Sequence, residues 1–147
     1  MEIRKVDRDT ELAEQLLSFV ENCSWLEVRE HVAGTIRDWT FTDWETMFAA
    51  VEDGKIVGMA AVLKEDYYPL KHIFPWVSGI FVAEEARRRG VCGKLIGHAN
   101  AYLKEKGFKR SYIPSPLSGV YERYGYTRVG DIVNYDGNTD GLYEKIL

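Results

Sequence analysis

At 147 residues the chain has the length of one average domain, and 19 Lys and Arg against 23 Asp and Glu leave a net charge of −4, which argues against a nucleic-acid binder working through bulk positive charge and leaves open only a local basic patch. Hydrophobic residues at 46% and charged residues at 29% describe a globular chain, not a disordered one. Its two cysteines, Cys23 and Cys92, form neither a disulfide framework nor a metal-site spacing, the opening residues carry no apolar signal core, and no run approaches the roughly 20 apolar residues of a membrane span, so a cytoplasmic, metal-free, membrane-free single domain is expected.

Glu2–Val6 reads as a short strand. Asp7 and Asp9 offer N-cap oxygens to a helix running through about Phe19, with Leu12, Leu16, Leu17 and Val20 on one face. Ser24-Trp25-Leu26-Glu27 fits a capping box and predicts a second helix to about Trp39. Met47–Val51 and Ile56–Leu63 are apolar runs joined by Asp53-Gly54, the pair that suits a type I′ hairpin turn. Neither run alternates with polar residues, so both strands should be covered on both faces. Residues 64–72 read as a loop. Trp76–Val82 is a third buried strand, with Ser78-Gly79 marking a bulge or a close backbone approach.

A helix from about Val91 to Lys106 follows, stopped by Gly107. A strand near Arg110–Ile113, a Ser/Pro turn, a short helix around Ser118–Tyr124 ended by Gly125, and strands near Tyr126–Asn134 and Leu142–Leu147 complete the chain. The expected fold class is α/β: a mixed sheet with helices on its faces, in the order β-α-α-β-β-β-α-β-α-β-β.

The stretch that carries chemistry runs from Ile80 to Lys94. A buried strand ends at Val82, and Gly90 and Gly93 flank the start of a helix. A helix start leaves four backbone N–H groups unpaired and carries about half a positive charge, so it attracts anions. Glycines let a phosphate approach the backbone, and Arg87, Arg88, Arg89 and Lys94 add full charges. The pattern fits a pyrophosphate cradle; it fits equally a solvated basic turn with a glycine-assisted helix start. It is not a Walker A loop, because Arg88 and Leu95 stand where glycine and Ser or Thr are needed, and it is not G-x-G-x-x-G.

Arg87-x-x-Gly90-x-Cys92 after an Ile-x-Val strand resembles the acetyl-coenzyme A loop of the GNAT superfamily of N-acetyltransferases, Arg/Gln-x-x-Gly-x-Gly/Ala. Val120-Tyr-Glu-Arg-Tyr-Gly-Tyr126 resembles the Phe-Tyr-x-x-x-Gly-Phe stretch that closes that family's core, and the spacing and element order agree over essentially the whole chain. The resemblance implies a central, mostly antiparallel twisted sheet flanked by helices, and an acetyl-CoA-dependent N-acetyltransferase acting by direct amine attack on the thioester. It places acetyl-CoA against the splayed strand Ile80, Phe81 and Val82 and the loop Arg87, Arg88, Arg89, Gly90, Val91, Cys92, Gly93 and Lys94. Tyr121 falls at the general-acid position, with Tyr124 as a weaker substitute; a phenol of pKa about 10 stays protonated at neutral pH and can donate as the thiolate develops.

Two departures from the family pattern stand out. Cys92 replaces Gly or Ala, and the Asn common before the terminal helix is missing, leaving Ser115 or Ser118 in Pro114-Ser115-Pro116 and its surroundings as substitutes toward the pantetheine arm. Candidate bases for the acceptor amine are Glu27, Glu30, His31, Asp43, Glu45 and His72, though each reads first as an ordinary surface group. Trp25, Trp39, Phe41, Trp44 and the acidic segment Tyr135–Gly141 lie where the family takes its acceptor, and they suit a small cationic amine or amino-sugar. A homodimer is compatible with this reading. The alternative is a non-catalytic module of the same fold that binds acyl-CoA or a partner protein.

Overall fold

The computed structural model describes Met1–Leu147, the Val28 side chain excepted. Its elements are β1 (Glu2–Val6), α1 (Glu11–Glu21), α2 (Leu26–Asp38), β2 (Thr46–Glu52), β3 (Lys55–Leu63), β4 (Trp76–Val82), α3 (Val91–Glu105), β5 (Arg110–Ser115), β6 (Thr127–Val133) and β7 (Thr139–Ile146), with 3-10 turns at Glu84–Ala86 and Tyr121–Tyr124. The seven strands form a mixed sheet in the order β1-β2-β3-β4-β5-β7-β6. The β4–β5 pair is parallel, and β1–β2, β5–β7 and β6–β7 are antiparallel. No helix among the described residues is long and apolar enough to cross a membrane.

The residues divide into two compact units, one of Met1–Ala61 with Gly79–Leu95 and the other of Val62–Ser78 with Ile96–Leu147. In the first, β2 and β3 are buried through most of their length, as their unbroken apolar runs predict. Asp53 (φ 51°) and Gly54 (φ 76°) both take the left-handed region that a type I′ hairpin demands. Leu12, Leu16 and Val20 are buried along one face of α1, and Leu17 is only half-buried.

Both helix starts differ from expectation. Thr10, not Asp7 or Asp9, caps α1: its Oγ1 accepts from Ala13 N at 3.2 Å and donates to Asp7 O at 2.7 Å. Asp9 lies in the left-handed region (φ 58°), which delays the helix by a residue. The capping box at Ser24 does not form. Trp25 is the N-cap of α2 and brings no side-chain cap, so Glu27 sits one position too early in the helix to reach back.

In the second unit β5 runs two residues further than expected, to Ser115, with Pro114 opposite Leu142 and Ser115 opposite Gly141. β7 begins at Thr139, so only residues 134–138 of the acidic Gly-rich segment form the hairpin turn. The short helix expected over Ser118–Tyr124 is a single 3-10 turn at Tyr121–Tyr124. Gly119 (φ 80°) and Gly125 (φ 91°) bracket it in left-handed conformation and leave no room for more.

Trp76 is fully buried, stacks on Tyr68 at 5.7 Å and joins Ile132 and Leu142 in a core cluster. Asn100 of α3, Ser111 of β5 and Tyr126 close a buried triangle of hydrogen bonds. Ser111 Oγ donates to Asn100 Oδ1 at 2.7 Å, Asn100 Nδ2 donates to Tyr126 Oη at 3.0 Å, and the two hydroxyls lie 2.7 Å apart. Burial raises the Tyr126 pKa, opposed by its bonds to Ser111 and Asn100. Such a closed set specifies one packing of helix against strand, and removing a member leaves partners unpaired at about 1–3 kcal/mol each.

Candidate active site

In the first unit, Ala83 N donates to Val57 O at 2.8 Å and ties the exit of β4 to β3. The 3-10 turn Glu84–Ala86 buries Ala86, and the chain then doubles back through Arg88 (φ 65°) and Gly90 (φ 78°) into α3. Left-handed residues in such a turn gather successive N–H groups into an anion-binding concavity. A non-glycine residue held there costs of order 1–3 kcal/mol, the kind of strain that collects at functional turns. Lys94 N donates to Gly90 O at 3.1 Å and opens the helical ladder, so Val91, Cys92 and Gly93 precede it with no intrahelical acceptor for their N–H groups. No atom would meet a Cβ at Gly90 within 4 Å, so it is the backbone angle that asks for glycine there.

The four cations of this loop divide into two kinds. Arg87 Nε donates to Val82 O at 2.9 Å while its guanidinium lies 5.6 Å from the Phe81 ring. Arg89 makes a two-pronged pair with Glu52, at 2.9 and 3.2 Å. Both brace the turn. Arg88 and Lys94 are exposed and carry no such brace among the described residues. Cys92 is half-buried at the first turn of α3. Beneath this turn lies Gly58 of β3. A Cβ there would stand 3.1 Å from Leu95 Cδ1, 3.2 Å from Val91 Cγ1 and 3.2 Å from the Phe81 carbonyl oxygen.

Ile80, Phe81 and Val82 are all half-buried. The Phe81 ring stacks on Trp25 at 6.4 Å and tilts against Phe19 at 5.9 Å. Of the aromatic residues expected near an acceptor, Trp25 joins Phe81, while Trp39 meets buried Phe41 edge-on at 4.9 Å. Among the candidate bases Glu27, Glu30, His31 and Asp43 are exposed. Glu45 is engaged as a turn cap, accepting from Thr42 N at 3.2 Å and Thr42 Oγ1 at 3.0 Å.

In the second unit Tyr121 is half-buried at the head of its 3-10 turn, its ring 6.3 Å from that of fully buried Tyr143. Tyr124 is also half-buried. Ser115 is buried, and its Oγ accepts from Leu117 N at 3.0 Å, closing the Ser/Pro turn; Ser118 is exposed. His72 is exposed.

A cluster absent from the sequence reading lies between the loop 64–72 and the β6–β7 hairpin. Tyr67 Oη donates to Asp136 Oδ1 at 2.8 Å, Tyr68 Oη donates to Asp140, and Ser78 Oγ donates to Asp66 Oδ2 at 2.5 Å. Tyr135 meets Tyr67 edge-on at 5.4 Å, and Asn134 Oδ1 pins the hairpin by accepting from Asp136 N and Asn138 N. No local pattern could have found it, because the two tyrosine–aspartate pairs join residues 69 and 72 positions apart; only the acidic composition of 135–141 pointed there. Among the described residues no group of His, Cys, Asp and Glu is arranged to hold a metal ion.

Burial, then the bond to Asp140, then the charges of Asp140 and Asp66 push the Tyr68 phenol well above its ordinary 10.0. The unfolded chain ionises near that ordinary value while the folded one resists, so the stabilisation is intact below pH 10 and is lost as pH rises above it. The urea midpoint of the protein should therefore fall more steeply above pH 10 than that of Tyr68→Phe. Equal slopes would show that Tyr68 contributes nothing to the alkaline limb.

A family model described as the acetyltransferase (GNAT) family matches residues 10–126. An uncharacterised N-acetyltransferase of Chlorobaculum tepidum is 26% identical over 100 residues, 68% of this chain; the match spans 56% of that relative's length. Among solved structures, an aminoglycoside 6'-acetyltransferase type Ii superposes with a TM-score of 0.77 at 20% identity, covering 99% of this chain and 97% of its own. An aminoglycoside 6'-N-acetyltransferase complexed with coenzyme A superposes with a TM-score of 0.75 at 17% identity, with the same coverage of both chains.

Proposed function

The chain belongs to the GNAT acetyltransferase family, and from that premise we propose that it transfers the acetyl group of acetyl-CoA to the primary amine of a small cationic acceptor, with Tyr121 as general acid. The observation that carries the cofactor half is the Arg87–Lys94 turn. It combines left-handed Arg88 and Gly90, the leading N–H groups of α3, and the unbraced cations Arg88 and Lys94. These features fit a pyrophosphate, which needs several short N–H contacts and a positive surround.

The chemistry assigns each group a task. Backbone groups of Ile80 to Val82 pair with the amides of the pantetheine arm, and an N–H there steadies the oxyanion. The neutral acceptor amine attacks the thioester carbonyl; the C–N bond forms, the C–S bond breaks, the departing sulfur takes the Tyr121 hydroxyl proton, and the proton shed by the acylated nitrogen passes through water to restore the Tyr121 phenol. Ser115 and Ser118 are the further polar groups assigned to the pantetheine arm.

The acceptor class is supported by the Tyr67–Asp136, Tyr68–Asp140 and Ser78–Asp66 cluster. There carboxylates take hydroxyl donors beside exposed tyrosine rings, Tyr67 at 46% and Tyr135 at 59%. Rings and carboxylates together favour an ammonium group. The neighbours that act on aminoglycosides accord with a small polyamine-bearing acceptor.

The test is release of free thiol from acetyl-CoA across a panel of amines that includes aminoglycosides, short diamines and a neutral amine. Turnover with the cationic members and little with the neutral one is expected. Tight CoA binding by calorimetry with no turnover on any amine would replace the transferase reading with that of a binding module. No CoA binding at all would sink both.

A further inference from the structure

We propose that Tyr143 and Lys145 are positioning residues that hold Tyr121 where its hydroxyl can serve, an inference that rests on the assignment of Tyr121 as general acid. They occupy alternate positions of β7, so their side chains leave the strand on one face. Both donate to backbone carbonyls of the segment that carries Tyr121, one on each side of it. Tyr143 Oη donates to Leu117 O at 2.7 Å, four residues before Tyr121, and Lys145 Nζ donates to Tyr124 O at 2.7 Å, three residues after. The Tyr143 ring, fully buried, also packs 6.3 Å from the Tyr121 ring.

The segment needs such grips. Between Ser115 and Gly125 its one regular element is a four-residue 3-10 turn, too short to hold itself in water. Its internal ties include Leu117 N to Ser115 Oγ at 3.0 Å, Gly119 N to Glu122 Oε2 at 2.9 Å, Gly125 N to Glu122 O at 3.1 Å and Tyr126 N to Tyr121 O at 3.3 Å, all of them local. A proton donor misplaced by about 1 Å can cost about 100-fold in rate, so a loop carrying one has to be fixed from outside.

The geometry of the lysine grip is specific. A cation on the last carbonyls of a helical turn meets the negative end of its dipole. Gly125 follows with φ 91°, and a Cβ there would stand 3.0 Å from Lys145 Nζ and 3.3 Å from its Cε. The glycine thus supplies both the left-handed turn and the space through which the lysine reaches its carbonyl. The Lys145 ammonium also lies 6.0 Å from the Tyr126 ring, which is anchored by Ser111 and Asn100. β7 therefore holds the acid-bearing loop at two points, on the same strand that pairs with β5 through Ser115.

The experiment is a pair of double-mutant cycles in the 147-residue chain. Tyr143→Phe and Lys145→Met are each made alone and in a Tyr121→Phe background, and kcat and the KM for acetyl-CoA are measured by thiol release. With Tyr121 present, each should lower kcat by about tenfold and leave KM within about twofold. In the Tyr121→Phe background the same changes should cost less than about twofold, because the group they position is gone. Equal losses in both backgrounds, or no loss with Tyr121 present, overturns the proposal while leaving the acid in place. Full turnover of Tyr121→Phe alone removes the general-acid reading and, with it, the positioning role of Tyr143 and Lys145. Lys145→Met, which changes a half-buried side chain, keeps the cycle measurable should Tyr143→Phe fold poorly.

Discussion

Tyr121→Phe is expected to lower kcat by about 100-fold, at the lower end of what a positioned general acid supplies, with the dissociation constant for CoA unchanged. The substitution removes one oxygen and keeps the ring, so the packing on Tyr143 at 6.3 Å is retained. What is lost is a proton for the departing thiolate, which then leaves as an anion or takes its proton from water. An interaction made only as the C–S bond breaks shows in kcat and in kcat/KM alike, and not in ground-state binding. Steady-state thiol release together with calorimetry of CoA separates the two. Turnover within twofold of the parent would remove Tyr121 from the chemistry; the same loss in Tyr124→Phe instead would move the role three residues along the turn.

Gly58→Val should be the most damaging single change in the first unit. A Cβ at this position already stands 3.1–3.2 Å from Leu95, Val91 and the Phe81 carbonyl, and valine adds two methyl groups beyond it. Overpacking of this kind costs about 1–3 kcal/mol of stability. The displaced atoms belong to the first turn of α3 and the end of β4, so a loss of about tenfold in CoA affinity, about 1.4 kcal/mol, should accompany it. Urea denaturation and CoA calorimetry measure the two effects. Gly34→Ala is the control: no atom lies within 4 Å of its Cβ, it sits inside α2, and alanine there should stabilise by about 0.5–1 kcal/mol. Unchanged stability and affinity in Gly58→Val would mean that β3 and α3 move apart freely.

The strands and long helices were legible because hydrophobic periodicity is a local signal backed by burial, and the Asp53-Gly54 hairpin because its turn chemistry is specific. Helix caps were less so. Ser24 and Glu27 satisfy a pattern, yet the chain enters α2 one residue later, and a pattern has no means of choosing between adjacent starts. The glycines and charges of the Arg87–Lys94 loop stood out in the sequence, but not the division of its cations, since Glu52 lies 37 positions from Arg89. Gly58 could have been flagged by the rule applied to Gly79, that a glycine within a strand marks close approach. Tyr143, Lys145 and the Tyr68–Asp140 pair lay beyond any sequence rule, being tertiary contacts between distant segments.

The bracing of Arg87 and Arg89 has a consequence for ionic strength. Electrostatic attraction between exposed charges fades over about 8 Å in physiological salt, whereas short N–H contacts to an anion are hardly screened. A loop with four unpaired cations would lose its ligand steeply as salt rises. Here two of the four are bound to the protein's own Val82 carbonyl and Glu52 carboxylate, which leaves the proposed anion to Arg88, Lys94 and the backbone dipoles fixed by the fold. On the proposed reading, affinity for the anion should fall less steeply with added salt than four unpaired cations would dictate.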